Sequence, residues 1–158
     1  VFVFFGVVAV TGTYYVQAVA AGPAFPLWIP PGSIPVEALV ASLPMAALIT
    51  NILVVNNVRD METDRAAGKR TLAVFLGYRG SRAEFILLLL LAYLVPLWFV
   101  SIGNSPWVLL PLVTLPYAIS ITRTMLNRTA AAVLNTTLAR TGRLTAAYAI
   151  TFAIGLGL

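Results

Sequence analysis

The chain has 158 residues, 60% hydrophobic and 9% charged, with a net charge of +5. Soluble domains carry about 25% charged residues, so a water-soluble fold is excluded and lipid is expected to cover the surface. Cys and His are both absent. That excludes a disulfide framework, Ser-His triads and sites built on thiolate or imidazole. Any metal must then be held by oxygen, which points to Mg²⁺ or Ca²⁺. The positive charge does not signal nucleic acid, because the basic residues fall between apolar stretches, where the positive-inside rule accounts for them.

A helix needs about 20 apolar residues to cross a bilayer. Five stretches meet or approach this, over residues 1–21, 35–56, 84–102, 106–125 and 144–158. The expectation is an all-α, multi-span transmembrane bundle forming one domain over residues 1–158. The chain opens inside an apolar run and reads as a fragment that starts within a transmembrane helix.

The connections alternate in character. Residues 22–34 hold Gly22, Pro23, Pro26, Pro30, Pro31 and Gly32 without charge, a helix-breaking composition. Residues 57–82 are long and charged, and 103–105 form a short neutral turn. Residues 123–143 are basic again. All ten Lys and Arg lie in the second and fourth connections. Both are expected on one side, and the positive-inside rule makes it cytoplasmic. Trp28, Trp98 and Trp107 fall at the opposite interface, as an aromatic belt would. Ser81 and Glu84 read as a capping box opening the third span. Pro44, Pro96, Pro111 and Pro116 lie within spans, where neighbouring helices can satisfy the freed carbonyls.

The chemistry concentrates in residues 56–77, N-N-V-R-D-M-E-T-D-R-A-A-G-K-R-T-L-A-V-F-L-G. On a helix continuing from the second span, Asp60 and Asp64 share a face about 5–6 Å apart at Cβ. Such carboxylates repel unless a cation lies between them. Mg²⁺ suits them, since it takes one or two carboxylates, keeps waters and adds phosphate oxygens. Arg59, Lys69 and Arg70 supply cations for a diphosphate, with Gly68 permitting a turn that brings Lys69 and Arg70 back. Glu62 points elsewhere. The plain alternative is a solvated helix end, with each Asp paired to a neighbouring base.

This string closely resembles the second aspartate-rich motif of the UbiA-type prenyltransferase superfamily. The pattern N-N-x-R-D-x-x-x-D-R-x-x-G-K-R-T-L-A-V is similar to the 1,4-dihydroxy-2-naphthoate polyprenyltransferase branch of menaquinone or phylloquinone synthesis, and Gly12 to Tyr15 agrees. The resemblance implies nine helices around a cavity with two facing aspartate-rich motifs at the cytoplasmic surface of a bacterial inner membrane. It implies Mg²⁺, a polyprenyl diphosphate donor and a dihydroxynaphthoate acceptor. The first motif, of the N-D-x-x-D-x-x-x-D kind, does not occur here. The chain then corresponds to about the last five of nine helices, and the missing N-terminal helices are partners it needs for activity.

Other residues carry two readings each. Tyr14 and Tyr15 could face an allylic cation or pack in the bundle. Asn56 and Asn57 could orient substrate or metal-bound water, or hydrogen-bond between helices. Asn51 and Gln17 suit polar contacts between helices. Arg123, Arg128, Arg140 and Arg143 suit topology and headgroup contacts, and Glu37 and Glu84 suit first helical turns. A membrane cation channel or transporter using the Asp pair as an ion site is the alternative function.

Overall fold

In the computed structural model, residues 1–19 and 33–158 are described, with the side chain of residue 19 left aside. Trp28 and all of the 22–34 connection except residues 33 and 34 lie outside them. The described residues form a helical membrane bundle. A π-helical segment, Phe2–Val8, runs into α1 (Ala9–Val19). Then follow α2 (Val36–Arg59), short α3 (Met61–Ala66) and α4 (Leu72–Ser101). A 3₁₀ segment, Pro106–Thr114, leads into α5 (Leu115–Asn127), and α6 (Ala131–Gly157) completes the chain.

Among the described residues, three helical stretches are long and apolar enough to cross a membrane: Val36–Arg59, Leu72–Ser101 and Pro106–Asn127. Phe2–Ala18 is apolar but shorter. Helix α6 has the length, but Asn135, Thr136, Thr137, Arg140 and Arg143 make its first half polar. The fifth span was expected from residue 144; the helix starts at Ala131 and carries those charges with it.

Several other helix boundaries differ from expectation for a shared reason. Charged residues were assigned to connections, whereas the helices run past their apolar stretches and carry the charges on their ends. The basic stretch 123–143 is helical except around 128–130. Helix α4, which holds the expected third span, starts at Leu72 rather than near residue 84, with a break in its path at Gly77 (φ 66°, ψ −177°). The Ser81–Glu84 capping box is therefore corrected. Thr71 is the cap, accepting a hydrogen bond from the Val74 N–H at 3.3 Å. Ser81 is buried inside α4 and Glu84 is also interior to it, so a first-turn role for Glu84 is corrected as well. Glu37 does sit in the first turn of α2.

Small residues let the helices approach. A Cβ on Gly6 would lie 2.2 Å from the Cα of Ala46, and one on Gly155 would lie 2.3 Å from the Trp107 carbonyl oxygen. Such contacts suit helix pairs in lipid, where backbone proximity supplies dispersion contacts. Pro96 removes the N–H that would bond the Ala92 carbonyl. The buried Tyr148 hydroxyl of α6 donates to that carbonyl instead. Tyr148 also meets Tyr93 edge-on, with ring centroids 5.4 Å apart, and the Tyr93 and Thr114 hydroxyls are hydrogen-bonded at 2.7 Å. Asn51 Nδ2 donates to the Phe85 carbonyl at 3.1 Å, joining α2 to α4, as the polar-contact reading of Asn51 expects.

The two basic connections do share one end. Arg59, closing α2, reaches Asn135 near the start of α6. Arg82 Nε donates to the Met125 carbonyl near the end of α5 at 3.0 Å. Trp98 and Trp107 lie at the other end, beside the turn at Gly103.

Candidate functional site

The motif is built by a break that the sequence does not advertise. Helix α2 stops at Asp60, whose φ of −95° and ψ of 5° leave the helical region, and α3 starts at once. The expected uninterrupted helix through both acids is thus corrected to two helices meeting at Asp60. The i,i+4 relation survives, because the Asp64 N–H donates to the Asp60 carbonyl at 2.8 Å. Asp60 occupies the N-cap position of α3 without using its side chain to cap. Its carboxylate is left for other partners.

Helix α3 ends in a Schellman turn. Lys69 N–H bonds the Asp64 carbonyl at 2.9 Å, and Gly68 N–H bonds that of Arg65 at 3.1 Å. Gly68 takes φ 70°, the left-handed conformation that favours glycine. The reversal brings Lys69 Nζ to 2.8 Å from Asp64 Oδ1. The Asp64 side chain is 10% exposed and the Lys69 side chain 65%. One buried acid therefore meets one cation that extends into solvent.

Arg59 is engaged on several edges. Nε donates to Asp60 Oδ1 at 2.7 Å and Nη2 to Oδ2 at 2.6 Å, a bidentate fork. Nη2 also meets Asn56 Oδ1 at 2.9 Å, and Nη1 meets Asn135 Oδ1 at 3.0 Å. This guanidinium holds the Asp60 carboxyl below its usual range, against a smaller upward push from desolvation. The hydrogen bond to Asp64 raises Lys69. Each acid thus carries its own cation, as in the plain alternative reading of the motif. Glu62 turns away, paired with Arg65 at 2.8 Å and accepting from the Tyr78 hydroxyl at 3.3 Å. Arg70 is exposed just past the turn and, unlike Lys69, makes no ion pair with either acid, so the expected return of both cations is corrected to Lys69 alone.

Cavities among the described residues adjoin the motif. Asn57 lines one of about 230 Å³ with Thr50, Val54, Ala73 and Glu84. Asn56 lines another of about 350 Å³ with Ile52, Leu53 and Leu138. Tyr14 and Tyr15 are not brought to the acids. Tyr14 shares a cavity of about 550 Å³ with Ala38, Ala41 and Leu156. At 1.5 Å per residue, Ala38 lies roughly 30 Å along α2 from Asp60. Tyr15 is buried. Asn135 and Glu84 are neighbours of the site that sequence reasoning missed. Asn135 carries no motif and lies 76 residues from Arg59. The sequence shows the acid at position 84 but points to a helix start there, whereas α4 starts at Leu72.

The acids suit a hard cation. The donors are carboxylate and amide oxygens, and among the described residues no cluster of three or more acids occurs. Such a set fits an ion that keeps waters and takes phosphate oxygens, as Mg²⁺ does. The pair lies at the bundle's end rather than mid-membrane, where ion-path acids are expected.

Comparison with known proteins gives the family of the chain. The profile of the UbiA prenyltransferase family matches residues 1–137. The 1,4-dihydroxy-2-naphthoate octaprenyltransferase of Mycobacterium tuberculosis is 40% identical over 119 residues, which cover 75% of this chain and 36% of that protein. The protein of the same name in Haemophilus influenzae is 36% identical over 107 residues, covering 68% and 30%. Human UbiA prenyltransferase domain-containing protein 1 is 40% identical over 92 residues, covering 58% and 27%. The chain therefore spans about a third of the length of these relatives. No solved structure matches it significantly. On the profile match and these identities, the chain belongs to the UbiA prenyltransferase family.

Proposed function

We propose that this chain supplies one acid motif of an intramembrane aromatic prenyltransferase, which moves a polyprenyl group from an allylic diphosphate to 1,4-dihydroxy-2-naphthoate. The observation that carries the reading is Asp60 and Asp64, one helical turn apart at one end of an apolar bundle, each within hydrogen-bond reach of a cation. The names of the relatives supply the acceptor, and the step belongs to menaquinone or phylloquinone synthesis. By the positive-inside rule, the motif faces the cytoplasm, in a bacterial inner membrane.

In this reading Asp60 and Asp64 would hold Mg²⁺. When bound, the ion would supply positive charge to the departing diphosphate. Arg59, Lys69 and Arg70 bind the phosphate oxygens and gain strength as negative charge grows on them. The donor's C1–O bond breaks and its electron pair leaves with diphosphate. The acceptor ring carbon that carries the carboxylate bonds to C1; its bond to the carboxylate then breaks, the electron pair restoring the aromatic ring as CO₂ leaves. Asn57 and Asn56 face the cavities beside the acids and orient substrate there, while the apolar walls exclude water. Tyr14, beside Ala38, stands too far from Asp60 to meet C1 while the diphosphate occupies the acids; its place is along the donor's tail, and the buried Tyr15 packs in the bundle. Two acids surround only part of a cation–diphosphate complex, so the remaining ligands come from further helices of the whole protein, and this segment alone is inactive.

The test is prenyl transfer to dihydroxynaphthoate by the complete protein in membranes with Mg²⁺. Asp60→Ala and Asp64→Ala are each expected to abolish it. Full rates in both variants would remove the pair from the site.

A further inference from the structure

Arg59 poses a problem for the proposed site. Its guanidinium covers both carboxylate oxygens of Asp60, an acid assigned to the cation. For the site to load, that edge must leave Asp60, and the charge must still remain where the diphosphate arrives. The structure shows what can hold it. Nη1, away from the Asp60-facing edge, donates to Asn135 Oδ1 at 3.0 Å, across from α2 to α6. Asn135 is neutral, so this bond fixes the guanidinium without cancelling its charge. The Arg59 and Asp60 side chains are 23% and 35% exposed, and ion pairs open to solvent exchange partners at little cost. The planar fork that matches a carboxylate also matches a phosphate.

We propose that Asn135 is a positioning residue: it tethers Arg59 to α6, so that the edge now on Asp60 turns to the donor's diphosphate when Asp60 takes the cation. The inference rests on the reading of Asp60 and Asp64 given above. No bond forms or breaks covalently; one set of hydrogen bonds is exchanged for another. Asn135 itself is exposed and touches Arg59 rather than substrate.

The experiment uses the complete protein in detergent, with Mg²⁺ and inorganic pyrophosphate as the probe. Binding is read by calorimetry, thermal stability by melting, and KM and kcat for the prenyl diphosphate by turnover. Asn135→Leu removes the acceptor and is expected to weaken pyrophosphate binding and raise KM about tenfold, the scale of one charge-assisted hydrogen bond. Asn135→Asp keeps an acceptor but adds a charge that competes for Arg59. It is expected to weaken binding at least as much while leaving the melting temperature equal or higher. A merely structural contact predicts the same melting behaviour but restored affinity in Asn135→Asp, because an acceptor for Arg59 is still present. That result, or parental affinity in both variants, overturns the inference. Asp60→Ala in parallel separates the two levels. If it binds pyrophosphate normally, the reading of the site fails; if it does not, while both Asn135 variants bind normally, only the tether fails.

Discussion

The two ends of the bundle use the same turn for different ends. At the acid end, α3 closes on Gly68 with a Schellman turn, and the next residue, Lys69, swings onto Asp64. At the tryptophan end, α4 closes on Gly103 (φ 93°), with Asn104 N–H bonding the Phe99 carbonyl at 3.1 Å and Gly103 N–H that of Val100 at 3.0 Å. There the following side chain, Asn104, donates to the same Phe99 carbonyl at 3.2 Å. One turn delivers a charge to an acid; the other only satisfies backbone. The fold is common to both ends, and the chemistry depends on which side chain follows the glycine.

Substitutions at the two ends should separate these roles. The largest difference is expected between acids. Asp60→Ala and Asp64→Ala should cost the complete protein about 100-fold or more in transfer rate, the scale of losing one electrostatic contact to a transition state. Glu37→Gln, at the opposite end, should leave the rate unchanged in the same assay. Next comes the shared interior. Tyr148→Phe leaves the Ala92 carbonyl, freed by Pro96, without its donor. The expected loss is about 1–3 kcal/mol of stability, read as a lower melting temperature with substrate affinity retained. Smaller again, Gly68→Ala and Gly103→Ala should each cost about 1 kcal/mol, because alanine resists positive φ. Only Gly68→Ala should also raise KM for the prenyl diphosphate, since only that turn carries a cation to the site.

The smallest effect is a pH dependence. Asp60 has its pKa lowered in the folded state. Its stabilisation is therefore present above the ordinary carboxylate value, about 3.9, and is lost as pH falls through the lower folded value. Lys69 is raised, so its contribution is present below the ordinary lysine value, about 10.4, and is lost as pH rises through the higher folded one. Acid titration of Asp60→Asn should lack the first loss, and alkaline titration of Lys69→Met the second.

The membrane class, the shared end of the basic residues and the acid motif were all legible in the sequence, because apolar length and charge placement are strong signals. Gly68 and Lys69 were legible too, since a glycine before a lysine limits what the turn can do. Helix ends were less so. Tyr78, Arg79, Ser81 and Arg82 look like a loop by composition, yet they are helical, because α4 outruns its apolar stretch. The break at Asp60 contains neither glycine nor proline, and no local signal marks it. Asn135 could not be found at all, because its meaning depends on α6 folding back against Arg59.

The central claim is that Asp60 and Asp64 together hold a divalent cation that carries diphosphate. Mn²⁺ is a paramagnetic substitute, and its binding to the complete protein with pyrophosphate can be followed by electron paramagnetic resonance. The account predicts a bound-Mn²⁺ signal in the parent that is lost in both Asp60→Asn and Asp64→Asn. An undiminished signal in both variants would contradict it.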